Sequence, residues 1–292
     1  MISVALVNCT WRHMHELNRS FHLFVYLITA FAAITMPYRG AAQDADRPWM
    51  NPSLSPEQRA ELVLKQMTLD EKLALLHGNG MAHNPAWTMP LTPLTNGGAG
   101  YVEGVKRLGI PPLVISDAAY GVRSSGENGR YSTALPSNLG AASAWDPETA
   151  CAYGEVIGSE LRAQGFNVTL GGGVNLTREP RNGRTFEYAG EDPLLAGTTV
   201  GTMMKCEQAQ HVIGDLKHYV LNDQETGRFF VNAVISKRAM QESDLLAFHI
   251  ALSIANPAAV MCSYNRINGD FGCENSYTLQ DVLKKSGASK AT

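Results

Sequence analysis

Four stretches of this chain crowd side chains that can exchange hydrogen bonds with neighbouring hydroxyl groups. In ISDAAYGVR, Ile115 to Arg123, a carboxylate and a guanidinium flank a tight turn: Asp117 can accept from two hydroxyls while Arg123 donates in a planar fork. The same two charges would equally form a salt bridge that fixes the turn. REPRNGRTFEYAGEDPLLAG, Arg178 to Gly197, packs Arg178, Glu179, Arg181, Arg184, Glu187, Glu191 and Asp192 among Gly and Pro, with Phe186 and Tyr188 between them. So dense a mixture of signs predicts a cross-braced loop in which most charges are scaffold and one or two face a ligand. DLKHYVLNDQET, Asp215 to Thr226, sets Lys217 beside His218 in an apolar run, where a lysine is costly unless paired or used. In VMCSYNRINGDFGC, Val260 to Cys273, the Tyr264 ring could stack beneath a sugar or fill a core, and Asn265, Asn268 and Gly269 bring turn chemistry.

Bringing these stretches to one place requires strands that end at the same level. PPLVISD (111–117), FNVTLGG (166–172), HVIGDLKHY (211–219) and AAVMCSYN (258–265) read as buried strands, and PETACAYGEVIGSELRAQG and SKRAMQESDLLAFHIALSI as amphipathic helices between them. That alternation predicts parallel strands joined by helical crossovers. Asp117, the Lys217–His218 pair and Tyr264 all fall at strand C-terminal ends, which favours an incomplete (β/α)8 TIM-like barrel over an open sheet. Two short helices precede it. Ser55 and Pro56 open the first, and Thr68 with Glu71 forms a capping box at the start of the second. The Gly/Pro/Asn-rich residues 78–100 read as a long loop.

The totals narrow the class. At 292 residues, 45% hydrophobic and 17% charged, the chain can bury a substantial core. A net charge of −3 without a Lys/Arg cluster gives no field for a polyanion, so nucleic acid is excluded as a partner. No HxxxH or CxxC spacing occurs, the HxH of His13 and His15 lies in the leader, and the triplet Gly171–Gly173 lacks the surroundings of a phosphate loop, so no cofactor is expected. Residues 1–42 have the charged, apolar and small-residue order of a secretory signal peptide, with Phe21 to Met36 shorter than a membrane span. The expected destination is secreted or periplasmic, with no stable membrane anchor. In such a compartment Cys262 and Cys273 could pair; two buried thiols are the alternative.

Taken together, the motifs resemble the N-terminal barrel domain of glycoside hydrolase family 3, of β-glucosidase type. The likeness runs from MTLDEK (Met67) through RLGIPPLVISD, ALPSNLGAASAWD, GFNVTLGGGVNLTREPRNGRTFEYAGEDP and KHYVLNDQET to VMCSYNRINGDFGCEN. It implies that Asp117, Arg123, Arg184, Lys217, His218 and Tyr264, with Met261 nearby, line the pocket for a terminal sugar. The substrate implied is a β-glucoside or oligosaccharide. DAAYG stands where the family has DGPxG, which puts Tyr120 at the pocket rim. NDQET separates the chain from the β-N-acetylhexosaminidase branch, which carries KHFPGHGDT.

The resemblance implies a retaining two-carboxylate reaction, whose nucleophile is the Asp of an SDW-type motif about thirty residues beyond the Tyr, past Thr292. No SDW occurs in the chain. The barrel is therefore expected over 43–285, without nucleophile or acid/base and itself inactive. Residues 286–292 read as the shifted-frame translation of a WGFKGY-like segment, an aberrant tail. A sugar-binding or non-functional product is the alternative.

Overall fold

A computed structural model describes residues 47–78, 96–123 and 130–285. The leader at 1–42, the tail at 286–292 and most of the expected 78–100 loop lie outside the described residues. The chain divides into two units, 1–65 and 66–292. In the first, a 3-10 turn (Pro48–Met50) precedes α1 (Pro56–Gln66), and Arg59 Nε donates to Trp49 O at 2.6 Å. Ser55 caps α1 reciprocally with Gln58: Gln58 N donates to Ser55 Oγ, and Ser55 N to Gln58 Oε1. This satisfies two backbone donors that a helix N-terminus leaves open.

The second unit opens on α2 (Leu69–Ala74), whose Thr68–Glu71 capping box forms as the sequence predicts. Its main sheet has the order β1 (Gly100–Val102), β2 (Leu113–Ser116), β3 (Val168–Gly173), β4 (Ile213–Tyr219) and β6 (Ala259–Cys262). β2, β3, β4 and β6 run parallel, while β1 pairs antiparallel with β2. These four parallel strands are the four read from sequence, each slightly shorter, and they form a curled half-barrel of α/β type. Helices α3 (Asn138–Ala142) and α4 (Pro147–Ala163) connect β2 to β3, α5 (Pro193–Ala209) connects β3 to β4, and α6 (Lys237–Glu242) with α7 (Asp244–Ala255) connects β4 to β6. A small sheet of β5 (Asn232–Ala233), β7 (Arg266–Ile267) and β8 (Asp270–Phe271) and a π-helical segment (Tyr277–Lys285) complete the described elements.

Three features differ from the sequence reading. The loop drawn from Arg178 to Gly197 ends early, because Asp192 accepts from Leu195 N at 2.7 Å and Pro193 takes the first helical position of α5. The single helix drawn over SKRAMQESDLLAFHIALSI is broken at Ser243 (φ −129°, ψ −94°). The break places the buried Asp244 against Arg178 Nη2 at 2.6 Å, so an ion pair displaces helical continuity. Thirdly, the glycines of β3 serve close packing: a Cβ on Gly172 would lie 2.5 Å from Asp215 O.

The core divides into two clusters. One gathers Leu216, Tyr219 and Val220 of the β4 region with Ala196, Val200, Met204, Phe248 and Leu252 from α5 and α7. The other gathers Tyr153, Ile157 and Leu161 of α4 with Phe166, Met203 and Val212. Cys151 on α4 is bonded to Cys206 on α5 across 55 residues, a pairing no sequence feature indicated, and Cys262 is bonded to Cys273 across 11. Loop-closure entropy grows with the logarithm of loop length, so removing the longer bridge is expected to cost about 1.4 kcal/mol more. Urea unfolding of Cys151→Ser with Cys206→Ser against Cys262→Ser with Cys273→Ser measures it; equal midpoints would contradict the expectation.

Candidate functional site

The C-terminal end of β2 supplies Asp117, on a turn braced from every side. Arg123 N donates to Asp117 O at 2.9 Å, Ser116 Oγ lies 2.7 Å from Arg123 O, and Leu135 N donates to Tyr120 O at 2.9 Å. Beneath it, the buried Tyr153 hydroxyl lies 3.1 Å from Ala119 O and 2.6 Å from Pro136 O. Gly121 (φ 131°) closes the turn in a conformation that favours glycine, and a side chain there would press on Thr133 O. Asp117 does not pair with Arg123, the alternative that the sequence left open. Its partner is Lys217 Nζ, 3.3 Å away.

Lys217, near the end of β4, has a side chain only 3% exposed. A second carboxylate, Glu187 Oε2, stands 3.8 Å from Nζ, and Arg184 Nη2 holds that same oxygen at 2.5 Å. Both Arg184 and Glu187 flank the 3-10 turn Thr185–Glu187 in the loop after β3. Arg184 Nη1 lies 3.8 Å from Glu225 Oε1, and Glu225 accepts from Arg228 Nη1 at 2.8 Å. The Arg228 guanidinium lies 4.9 Å from the Tyr264 ring centroid and 5.1 Å from that of Phe229. Asp117, Lys217, Arg184 and Tyr264 are thereby linked through an alternating series of charges.

His218 joins through a buried branch. Asn175 clamps its backbone from both sides: His218 N donates to Asn175 Oδ1 at 2.7 Å, and Asn175 Nδ2 donates to His218 O at 3.0 Å. The peptide between Lys217 and His218 is cis. His218 Nδ1 lies 3.1 Å from the Tyr188 hydroxyl, which accepts from Asn222 Nδ2 at 2.9 Å. Asn222 Nδ2 is also 3.2 Å from Glu225 Oε1, closing a ring of contacts. Burial first, then the cations Arg184, Lys217 and Arg228, push the imidazole down to about 2. At working pH His218 is therefore a neutral hydrogen-bonding group.

The remaining two candidates stand apart from this network. Arg123 is exposed and lines a hollow of about 330 Å³ with Asp117, Tyr120 and Arg130. Met261, half-buried in β6, has no polar group to contribute. Conversely, Asn175, Asn222, Glu225 and Arg228 hold the site together without having been singled out, and Glu187 and Tyr188, named only as members of the charged loop, are central to it. The i,i+3 spacing of Arg184 with Glu187 and of Glu225 with Arg228 was the available signal. Among the described residues no group of three His, Cys, Asp or Glu side chains is placed to hold a metal ion, and no helix is long and apolar enough to cross a membrane.

Such a network, two carboxylates around one buried ammonium with guanidinium and imidazole beside it, sets hydrogen-bond donors and acceptors side by side. The sequence matches the Glycosyl hydrolase family 3 N terminal domain over residues 99–288. The chain belongs to this family. It is 35% identical over 230 residues to thermostable beta-glucosidase B of Acetivibrio thermocellus, covering 76% of this chain and 28% of that protein. It is 37% identical to an exo-alpha-(1->6)-L-arabinopyranosidase of Bifidobacterium longum, with the same coverage. Beta-glucosidase 3B from Thermotoga neapolitana, solved in complex with alpha-D-glucose, superposes with a TM-score of 0.71 at 36% identity, over 76% of this chain and 32% of that one. DesR, a beta-glucosidase from Streptomyces venezuelae solved with D-glucose, gives 0.70 at 36% identity, over 78% and 27%. The chain thus spans between a quarter and a third of the length of these family members.

Proposed function

We propose that this domain holds the terminal non-reducing sugar of a β-glucoside, and that the full-length protein hydrolyses the bond behind that sugar. The observation that carries the reading is the convergence of Asp117, Arg184 and Lys217 around shared partners within 4 Å, with His218 tied to the same ring. A pyranose presents adjacent hydroxyls that each need a donor and an acceptor. Asp117 and Glu187 would accept from them, while the Lys217 ammonium and the Arg184 guanidinium would donate. Arg123, which lines the hollow with Asp117, and Tyr264 at the far end of the charge series would complete the pocket, and Met261 would supply apolar wall. Both β-glucosidase and arabinopyranosidase relatives stand at similar identity, so the sugar itself is part of the proposal rather than of the family assignment.

Export belongs to the same reading. The domain carries two disulfides, bonds that persist in an oxidising compartment, as the leader at 1–42 implies.

A ligand-observed NMR titration of the chain with methyl β-D-glucopyranoside is the direct test. Saturable binding is expected, weakened about tenfold in Asp117→Asn because a charged acceptor is lost. Absence of saturable binding by the parent chain, or equal binding by the variant, sinks the assignment.

A further inference from the structure

Tyr120 stands on the braced turn that carries Asp117, yet its own ring makes no use of that rigidity in the network. The residue is 43% exposed and lines the hollow beside Asp117. Its ring meets Phe186, itself 39% exposed, at 5.4 Å between centroids and 80° between planes. Phe186 belongs to the Thr185–Glu187 turn, between Arg184 and Glu187. The two rings therefore bridge the loop that presents Asp117 and the loop that presents Arg184, next to the cluster assigned above to the sugar.

Several observations favour a ligand role for this pair. An edge-to-face partner limits how Tyr120 can turn, and the backbone beneath it is pinned by the Leu135 and Tyr153 hydrogen bonds. A large ring fixed in advance costs little entropy when something stacks on it. It also lines the same hollow as Asp117, the carboxylate assigned above to the sugar.

We propose that Tyr120, edge-packed on Phe186, is a specificity-determining platform for the ring attached to the terminal sugar, whether an aryl group or a second pyranose. The proposal rests on the sugar-site reading and names the substrate class that the site prefers: glycosides whose aglycone presents a ring face, over those with a small alkyl aglycone.

The chain and its Tyr120→Ala and Tyr120→Phe variants are titrated with methyl β-D-glucopyranoside, 4-nitrophenyl β-D-glucopyranoside and cellobiose. The parent chain is expected to bind at least one of the two ring-bearing ligands about fivefold more tightly than the methyl glycoside. Tyr120→Ala removes that advantage and leaves methyl glucoside affinity unchanged; Tyr120→Phe keeps it. Which ligand shows the gain tells an aryl preference from a sugar preference. An advantage that survives in Tyr120→Ala, or is absent from the parent, overturns the platform while leaving the sugar site intact. Loss of methyl glucoside binding in Tyr120→Ala overturns it too, since the ring would then shape the sugar pocket. Failure of the parent to bind methyl glucoside removes the sugar site and the platform with it.

Discussion

Lys217→Met is expected to weaken methyl β-glucoside binding about a hundredfold while leaving the folded domain as stable as the parent or slightly more so. The two effects separate because the ammonium is poorly compensated for its burial. Its side chain is 3% exposed, yet its carboxylate contacts are 3.3 and 3.8 Å long, beyond a strong charge-assisted hydrogen bond. Removing it strands neither partner. Asp117 is 43% exposed and keeps its water, and Glu187 retains Arg184 at 2.5 Å. Methionine fills the stem's volume without a charge to desolvate, and such replacements of buried ions are often neutral or stabilising. The lost donor to a hydroxyl accounts for the binding loss, through the roughly 1.5 to 3 kcal/mol of a charged hydrogen bond. Thermal denaturation and the NMR titration measured on one preparation decide it. A variant that unfolds early would show Lys217 to be structural, and one that binds normally would remove it from the pocket.

Glu207→Gln is expected to stabilise the domain by about 4 kcal/mol at pH 8 and to change little at pH 4.5. Glu207 lies on α5, 3% exposed, with Oε2 buried and lacking a hydrogen-bond partner. Burial raises its carboxyl from the usual 4.5 to about 8, opposed only by a hydrogen bond with Thr169. The unfolded chain releases this proton near pH 4.5 and the folded chain holds it until near 8. Stability from this group is therefore complete below about 4.5 and is lost as the pH rises between the two values. Glutamine has the shape of the protonated acid and no proton to lose. Asp215, raised by burial to about 7, drives the parent and the variant alike, so the difference between their urea midpoints at the two pH values isolates Glu207. A difference independent of pH would mean that residue 207 is charged, or solvated, throughout.

The strands were legible because each is built around a short apolar run bounded by turn residues, and Asp117, Lys217 and Tyr264 mark where the runs stop. The capping box at Thr68 was legible because it is local. What escaped depends on contacts made across the chain. Ser243 breaks a helix because Arg178, distant in sequence, attracts Asp244. β1 is three residues long and gains its place from pairing with β2. Cys151 and Cys206 meet because α4 and α5 pack together, which no spacing encodes. Within the site, Asp117, Lys217, His218 and Tyr264 were named from residue type and strand position and Arg184 from the family resemblance, and the structure links them in one network. Asn175 escaped because its role is to hold a backbone: an asparagine that clamps both polar groups of His218 looks, in sequence, like any loop asparagine.

The bond between Cys151 and Cys206 has a topological consequence. Everything from the second turn of α4 to the last turn of α5 lies inside one covalent ring, including β3, Asn175 and the arm bearing Arg184 and Glu187. A protease that nicks this arm between Arg178 and Asp192 opens the ring without releasing a fragment. The severed halves stay leashed at the helices that seat them, and the arm can settle back into place.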